Sequence, residues 1–217
     1  MDTTIYFFLS MVYAFLLVYG VYVATKERWS IYSSFLLVVI AALFYDNTIL
    51  AVGRFIGEGE LLKGLNVPRY WMHAFFTPLL IPFALQILRA AGVTWAKTRL
   101  ATYVVLAVTA LVIIMEVIPL FDLSLKPVWQ QGVLSYKRTN ASGGPFMMTA
   151  VTLSILISSL ILWRKLRWIW LFMGVLMMGV VGGLSIPFES KAIGNISELV
   201  LILSLFATQQ FQSRVEV

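Results

Sequence analysis

Phe35-Leu36-Leu37-Val38-Val39-Ile40-Ala41-Ala42-Leu43-Phe44-Tyr45-Asp46-Asn47-Thr48-Ile49-Leu50 decides how the rest of the chain is read. It is an apolar run long enough, with its flanks, to cross the hydrocarbon core of a bilayer, which takes about 20 residues. Near its end it carries a carboxylate and an amide, and a charge at that depth is costly unless it faces protein or water. The rest of the chain repeats the pattern. Of 217 residues 60% are hydrophobic and 12% charged, more apolar surface than a soluble domain of this size could hide. Mean hydropathy is +0.90. Soluble catalytic domains, DNA-binding modules and disordered regulators are set aside on that ground. The net charge of +6 fits loops against an anionic leaflet better than nucleic acid.

On the length criterion seven segments qualify as transmembrane helices: about 4–24, 30–52, 70–91, 100–120, 146–163, 167–186 and 196–211. The expected fold is therefore an all-α integral membrane protein, a single seven-helix domain over 1–217 with no soluble appendage. The first segment lacks the basic region of a cleavable signal and reads as a retained helix. Connections at 25–29, 92–99 and 164–166 are short, whereas 53–69, 121–145 and 187–195 are longer and lie together on the other side.

Basic residues set the orientation. Lys26, Arg28, Arg89, Lys97, Arg99, Arg164, Lys165, Arg167 and Arg214 lie on the side of the short loops. Arg54, Lys63, Arg69, Lys126, Lys137, Arg138 and Lys191 lie on the other. Nine against seven, with the nine at helix ends, predicts the amino terminus outside and the carboxy terminus inside. In a bacterium this means the plasma membrane, with the polar site on the extracytoplasmic face. Eight of the ten acids, all but Glu27 and Glu216, fall in or near the outer half. Acids are poor topology signals, so their concentration points to a site opening outward.

Several side chains form the candidate site. Asp46, Leu50, Arg54 and Glu58 follow a four-residue stride, which would align acid, base and acid on one helix face if the helix continues. The structural counterpart is an Asp46–Arg54 network sealing the helix end. Pro68 reads as the start signal of the third helix, from which Arg69, His73 and Thr77 recur every fourth residue. Glu116 and Glu198 sit near the outer ends of their helices, as does Asp122 beyond its own. Glu198 is also the N3 partner of an Asn195 cap if the last helix begins there, and points into the bundle if it begins earlier. The expected catalytic set is Asp46, Glu58, His73, Glu116 and Glu198. The expected binding set is Asn47, Arg54, Arg69, Tyr45, Tyr70, Trp71, Trp129 and Phe188, the aromatics flanking an apolar tail or a developing cation.

Between helices four and five, apolar and polar residues alternate around Gly132 and suggest a hairpin. It is either a lid over the bundle mouth or an ordinary outer loop with interfacial Trp129 and Tyr136. Asn140 and Asn195 open short Asn-x-Ser triplets. Gly174, Gly179, Gly182 and Gly183 make helix six a packing surface, and Ser154, Ser158 and Ser159 in helix five read as bonding to backbone or neighbouring helices.

With no cysteine and one histidine, thiol chemistry, Cys-ligated metals and multi-His zinc or iron sites are excluded. No cofactor is expected, and a divalent cation would need oxygen ligands. A retinal protein needs a mid-helix Lys in its last span, which 196–211 lacks. Zinc-dependent seven-helix lipid hydrolases need several His. Small membrane-embedded terpene cyclases are similar in size, helix count and use of acidic residues, an architectural likeness without a shared motif. The expected function is an intramembrane enzyme applying acid–base chemistry to an isoprenoid or other lipid-like substrate. The alternative is a non-enzymatic lipid-binding protein, carrier or sensor. In either case the partner is a membrane lipid or lipid-like small molecule, not nucleic acid.

Overall fold

The computed structural model describes residues 2–139, 146–183, 190 and 192–215. They form helices α1 (Asp2–Lys26), α2 (Ile31–Ile56), α3 (Glu60–Phe76), α4 (Leu80–Ala90), α5 (Arg99–Val117), α6 (Phe146–Leu166), α7 (Trp170–Gly183) and α8 (Ala192–Val215). A hairpin of β1 (Leu125–Gln130) and β2 (Val133–Arg138) lies between α5 and α6. α3 and α4 form one apolar span, Glu60–Ala90, interrupted by a 3-10 turn over Thr77–Leu79. Six helices are thereby long and apolar enough to cross a membrane, and α7 is a shorter apolar helix.

Local chemistry accounts for the boundaries. Ser30 caps α2 by accepting the Ser33 N–H (3.1 Å), and Thr98 caps α5 by accepting that of Ala101 (3.2 Å). α2 stops at Gly57, whose N–H returns to the Gly53 carbonyl. The third helix departs most from expectation. It begins at Glu60 rather than near residue 70, so the predicted 53–69 loop shrinks to the turn after Ile56. Pro68 lies inside α3, not ahead of it. The penalty of an interior proline is offset by tertiary contacts, since Leu62 and Asn66, on the turns that precede it, are wholly buried.

α1 packs on α2 and α8, α2 on α3 and α4, α4 on α6, and α7 on α8. The interior is hydrocarbon, with Leu9, Leu36, Ile40, Phe83, Ile155 and Ile202 in one cluster. The outward faces are apolar too: Met11 and Val18 are 73% exposed, Leu111 and Ile157 51%. A bundle apolar both inside and outside is compatible with a multi-pass membrane protein. As expected, Ser154, Ser158 and Ser159 donate to backbone carbonyls, Ser158 reaching Ala84 on α4. On α7, Gly174 meets Ser204 of α8 at close range, whereas Gly179 faces open space.

The hairpin forms around Gln131 and Gly132, whose φ angles of 49° and 81° are those of a primed two-residue turn. Its alternation serves two surfaces. Leu134 and Tyr136 pack with Ile49 and Leu62 in a second apolar cluster, while Val133, Ser135 and Lys137 face a cavity described below. Tyr136 is 5% exposed, so it is a core residue rather than an interfacial anchor. The free edge of β2 is covered by α3: Tyr136 N–H donates to Asn66 Oδ1 (3.2 Å), Tyr70 hydroxyl to Tyr136 O (3.0 Å), and Arg138 N–H to the Tyr70 hydroxyl (3.1 Å). Thr3 on α1 donates to Gly132 O (2.8 Å).

Gly53 makes this docking possible. A Cβ there would stand 2.0 Å from the Leu134 carbonyl oxygen, a backbone atom with no room to yield. Gly53→Ala is expected to lift the hairpin from α2 and destabilise the protein by about 1–3 kcal/mol, the usual range for overpacking. Faster proteolysis within 125–138, alongside a lowered thermal midpoint, checks this.

Candidate functional site

Helix rise places the polar groups at comparable depth. Asp46 lies ten residues before the end of α2, about 15 Å in, and Glu198 six residues after the start of α8, about 9 Å in. Both line a cavity of about 240 Å³ together with Arg69, Tyr70, His73 and Thr77. A second cavity, about 400 Å³, lies on the hairpin side. Asp46, Arg69 and Tyr70 belong to its walls too, with Asp2, Tyr6, Lys137 and Asn195.

The central contact is an ion pair between α2 and α3, Arg69 Nε donating to Asp46 Oδ1 at 2.8 Å. The side chains are 13% and 26% exposed, so the pair is largely withdrawn from solvent. Arg69 Nη1 donates to Asn66 Oδ1 (2.6 Å), and Asn66 Nδ2 returns to the Leu62 carbonyl (2.7 Å). The same Asn66 oxygen accepts from β2, so one buried amide orients the guanidinium and ties down the hairpin. Contact through Nε leaves Arg69 Nη2 and Asp46 Oδ2 without a hydrogen-bond partner among the described residues, on the walls of both cavities.

Glu198 makes no hydrogen bond or ion pair among the described residues, although it lines the cavity. α8 begins at Ala192, four residues earlier than a helix starting at 196, and this turns the carboxylate inward. The Asn195 capping box is therefore not formed. Asn195 is inside the helix and donates to Asn47 Oδ1 (3.3 Å), so it is not a loop acceptor of the Asn-x-Ser kind. Across the cavity His73 Nδ1 contacts Thr77 Oγ1 at 3.1 Å, the contact expected of residues four apart, leaving Nε2 as the second polar atom of the ring.

The other expected residues divide. Asn47 is wholly buried and spends its amide on Leu43 O (2.8 Å) and Asn195, a structural role. Arg54 is not Asp46's partner: it is exposed and lies over the Phe55 ring at 5.4 Å. Glu58 lies past the end of α2, exposed, because the helix stops before the stride can reach it. Glu116 is half-buried late in α5, within the electrostatic reach of Arg138. Neither Glu58 nor Glu116 lines the two cavities. Tyr45 donates to Leu65 O (2.9 Å), Trp71 stacks against Phe75 and meets Phe121 edge-on, and Trp129 is 59% exposed; none lines either cavity. Phe188 and Asn140 lie outside the described residues. Of the expected aromatics among the described residues, only Tyr70 lines both cavities.

Tyr6 and Tyr13 on α1 were not anticipated. Tyr6 lines the second cavity, and Tyr13, two turns deeper, is fully buried with a hydroxyl that finds no hydrogen-bond partner. Their seven-residue spacing, with Asp2 and Ser10 on nearby turns, was the available signal for a polar face on α1. Among the described residues, no three His, Asp or Glu side chains gather closely enough to hold a metal ion.

Fold and site together define a class: a helical chain with six helices of membrane-spanning length and a polar cavity toward one end, walled by two carboxylates, a guanidinium and an imidazole. No protein-family model, curated protein or solved structure matches the chain, so its chemistry is argued from these residues alone.

Proposed function

We propose that the protein is a seven-helix integral membrane enzyme, amino terminus outside and carboxy terminus inside, that performs acid–base chemistry on an isoprenoid or other lipid-like substrate in an outward-opening pocket. The observation that carries this reading is the Glu198 carboxylate, without a partner among the described residues, in one cavity with the Asp46–Arg69 pair and His73. Sites that set two carboxylates in unlike surroundings divide acid and base roles between them. Asp46 has a guanidinium partner, and Glu198 has none among the described residues. Glu198 is assigned the proton-donating role, Asp46 or His73 the accepting role, and Arg69 and Tyr70 the positioning of a polar group of the substrate.

A blind pocket is favoured over a through-path by the opposite end of the bundle. There a cavity of about 150 Å³ between α4, α5 and α6 has no charged side chain in its walls. A carrier is expected to present polar groups along both halves of its route.

The reading is tested by mass spectrometry of lipids copurifying with the wild type and Asp46→Asn. A defined lipid bound by the wild type and depleted at least tenfold in the variant is the expected result. Indistinguishable bulk lipid in both would overturn the pocket assignment.

A further inference from the structure

The larger cavity, about 400 Å³ on the hairpin side, gathers groups that the acid–base reading leaves unused. Apart from Leu50 and Val133, its walls among the described residues are polar or charged. Three of those residues are deeply buried, Asp2 and Ser135 at 3% exposure and Tyr6 at 4%. Buried polar groups are as a rule hydrogen-bonded. Yet the Asp2 carboxylate and the Tyr6 and Ser135 hydroxyls have no hydrogen-bond or ion-pair partner among the described residues, and all three line this one space. They come from two elements, Asp2 and Tyr6 one turn apart on α1 and Ser135 on β2.

The charges are set apart along the cavity. Thr3 donates to Gly132 O (2.8 Å), which puts Asp2 at the turn of the hairpin. Tyr70 is bonded to the backbone of Tyr136 and Arg138, which puts Arg69, the residue before it, toward the other end of β2. Val133, Ser135 and Lys137 form the wall between, and four residues of strand cover about 13 Å. Arg69 spends Nε on Asp46 and Nη1 on Asn66, so Nη2 remains to receive an anion. One end thus presents a carboxylate and the other a guanidinium.

On the reading of the site given above, we infer that this cavity is a subsite for a zwitterion, holding a primary ammonium against Asp2 and Tyr6 and a phosphate or carboxylate against Arg69 and Ser135. Charge-assisted hydrogen bonds are roughly twice as strong as neutral ones. A ligand charged at both ends therefore matches the cavity better than a sugar or glycerol head group, whose hydroxyls leave the charge of Asp2 uncompensated. At about 30 Å³ for a water-sized group the cavity holds roughly a dozen such groups, enough for a head group the size of phosphoethanolamine.

The experiment titrates the full chain in detergent with three probes while the thermal midpoint is followed. They are dioleoyl phosphatidylethanolamine, dioleoyl phosphatidylglycerol, which has the same chains and phosphate but a diol in place of the ammonium, and O-phosphoethanolamine, the free head group. The ethanolamine lipid is expected to raise the wild-type midpoint at a mole fraction at least tenfold lower than the glycerol lipid requires. Asp2→Asn, which keeps the shape and removes the charge, is expected to abolish that preference. Tyr6→Phe, which removes one hydroxyl and keeps the inference testable if Asp2→Asn fails to fold, is expected to reduce it. A response to O-phosphoethanolamine identifies a free zwitterion as the ligand, and a response to the ethanolamine lipid alone identifies a lipid head group; either supports the subsite. Equal responses to the two lipids, a stronger response to the glycerol lipid, no response to any probe, or an undiminished preference in folded Asp2→Asn or Tyr6→Phe would overturn the inference. Its failure is separable from that of the enzymatic reading. Full turnover in Glu198→Gln removes the acid–base role and leaves the lipid comparison standing, whereas lost turnover in that variant with equal responses to the two lipids removes the subsite alone.

Discussion

Glu198→Gln is expected to yield a folded protein whose turnover falls by roughly 10²–10⁴-fold, the usual contribution of a positioned proton donor. The two outcomes separate cleanly because of the surroundings of this side chain. It has no ion-pair or hydrogen-bond partner among the described residues, so an isosteric amide forfeits no contact with them. What it loses is the ability to give up a proton. Comparative lipid mass spectrometry of expressing cells, with the thermal midpoint of the purified variant, measures both. A product that depends on the wild type and disappears in the variant, at an unchanged midpoint, is the predicted pattern. If the product persists at wild-type level, Glu198 is not the acid.

Removal of Arg69 has the largest expected effect on stability. Arg69→Ala strands the Asp46 carboxylate, about three-quarters withdrawn from solvent, and deprives Asn66 of one of its two donors. Breaking a buried pair on one side destabilises by about 3–5 kcal/mol at full burial, and partial exposure here places the expectation near the lower end, about 3 kcal/mol. The double variant Asp46→Asn/Arg69→Ala leaves no orphaned charge and is expected to recover most of that loss. Denaturant titrations of the two variants and the wild type give the comparison. A double variant as unstable as Arg69→Ala would show that the pair acts through packing and not through charge.

The helices were legible because apolar runs of sufficient length have one stable form in a bilayer. Where the run is diluted, legibility fails. Glu60-Leu61-Leu62-Lys63-Gly64-Leu65-Asn66-Val67 carries too many polar residues to pass as membrane-spanning, and Pro68 reads as a start. The segment is helical nonetheless, because Leu62 packs beneath the hairpin and Asn66 serves both Arg69 and β2. The contacts with the hairpin come from residues about 70 positions away and leave no local trace. The four-residue stride from Asp46 to Glu58 failed for the complementary reason. Helical spacing is informative only while the helix lasts, and Gly57 ends it. Aromatic residues were the least legible: Tyr45, Trp71 and Trp129 look alike in sequence to Tyr70, and only the packing of α3 against α2 and the hairpin distinguishes them.

What the sequence determined by itself was which runs are long and apolar enough to cross a membrane and how far along each the polar groups lie. Both are one-dimensional properties, set by hydropathy and by a rise of about 1.5 Å per residue. From them came the helices and the placement of Asp46, Arg69, His73 and Glu198 toward one end of the bundle, while the hairpin came from the alternation around Gly132. Which partner each group takes depends on its angle around the helix axis and on where neighbouring helices bend, and only the tertiary structure decided that. It gave Asp46 to Arg69, 23 residues away, rather than to Arg54 on its own helix. By starting α8 at Ala192 it left Glu198 facing the cavity with no partner among the described residues.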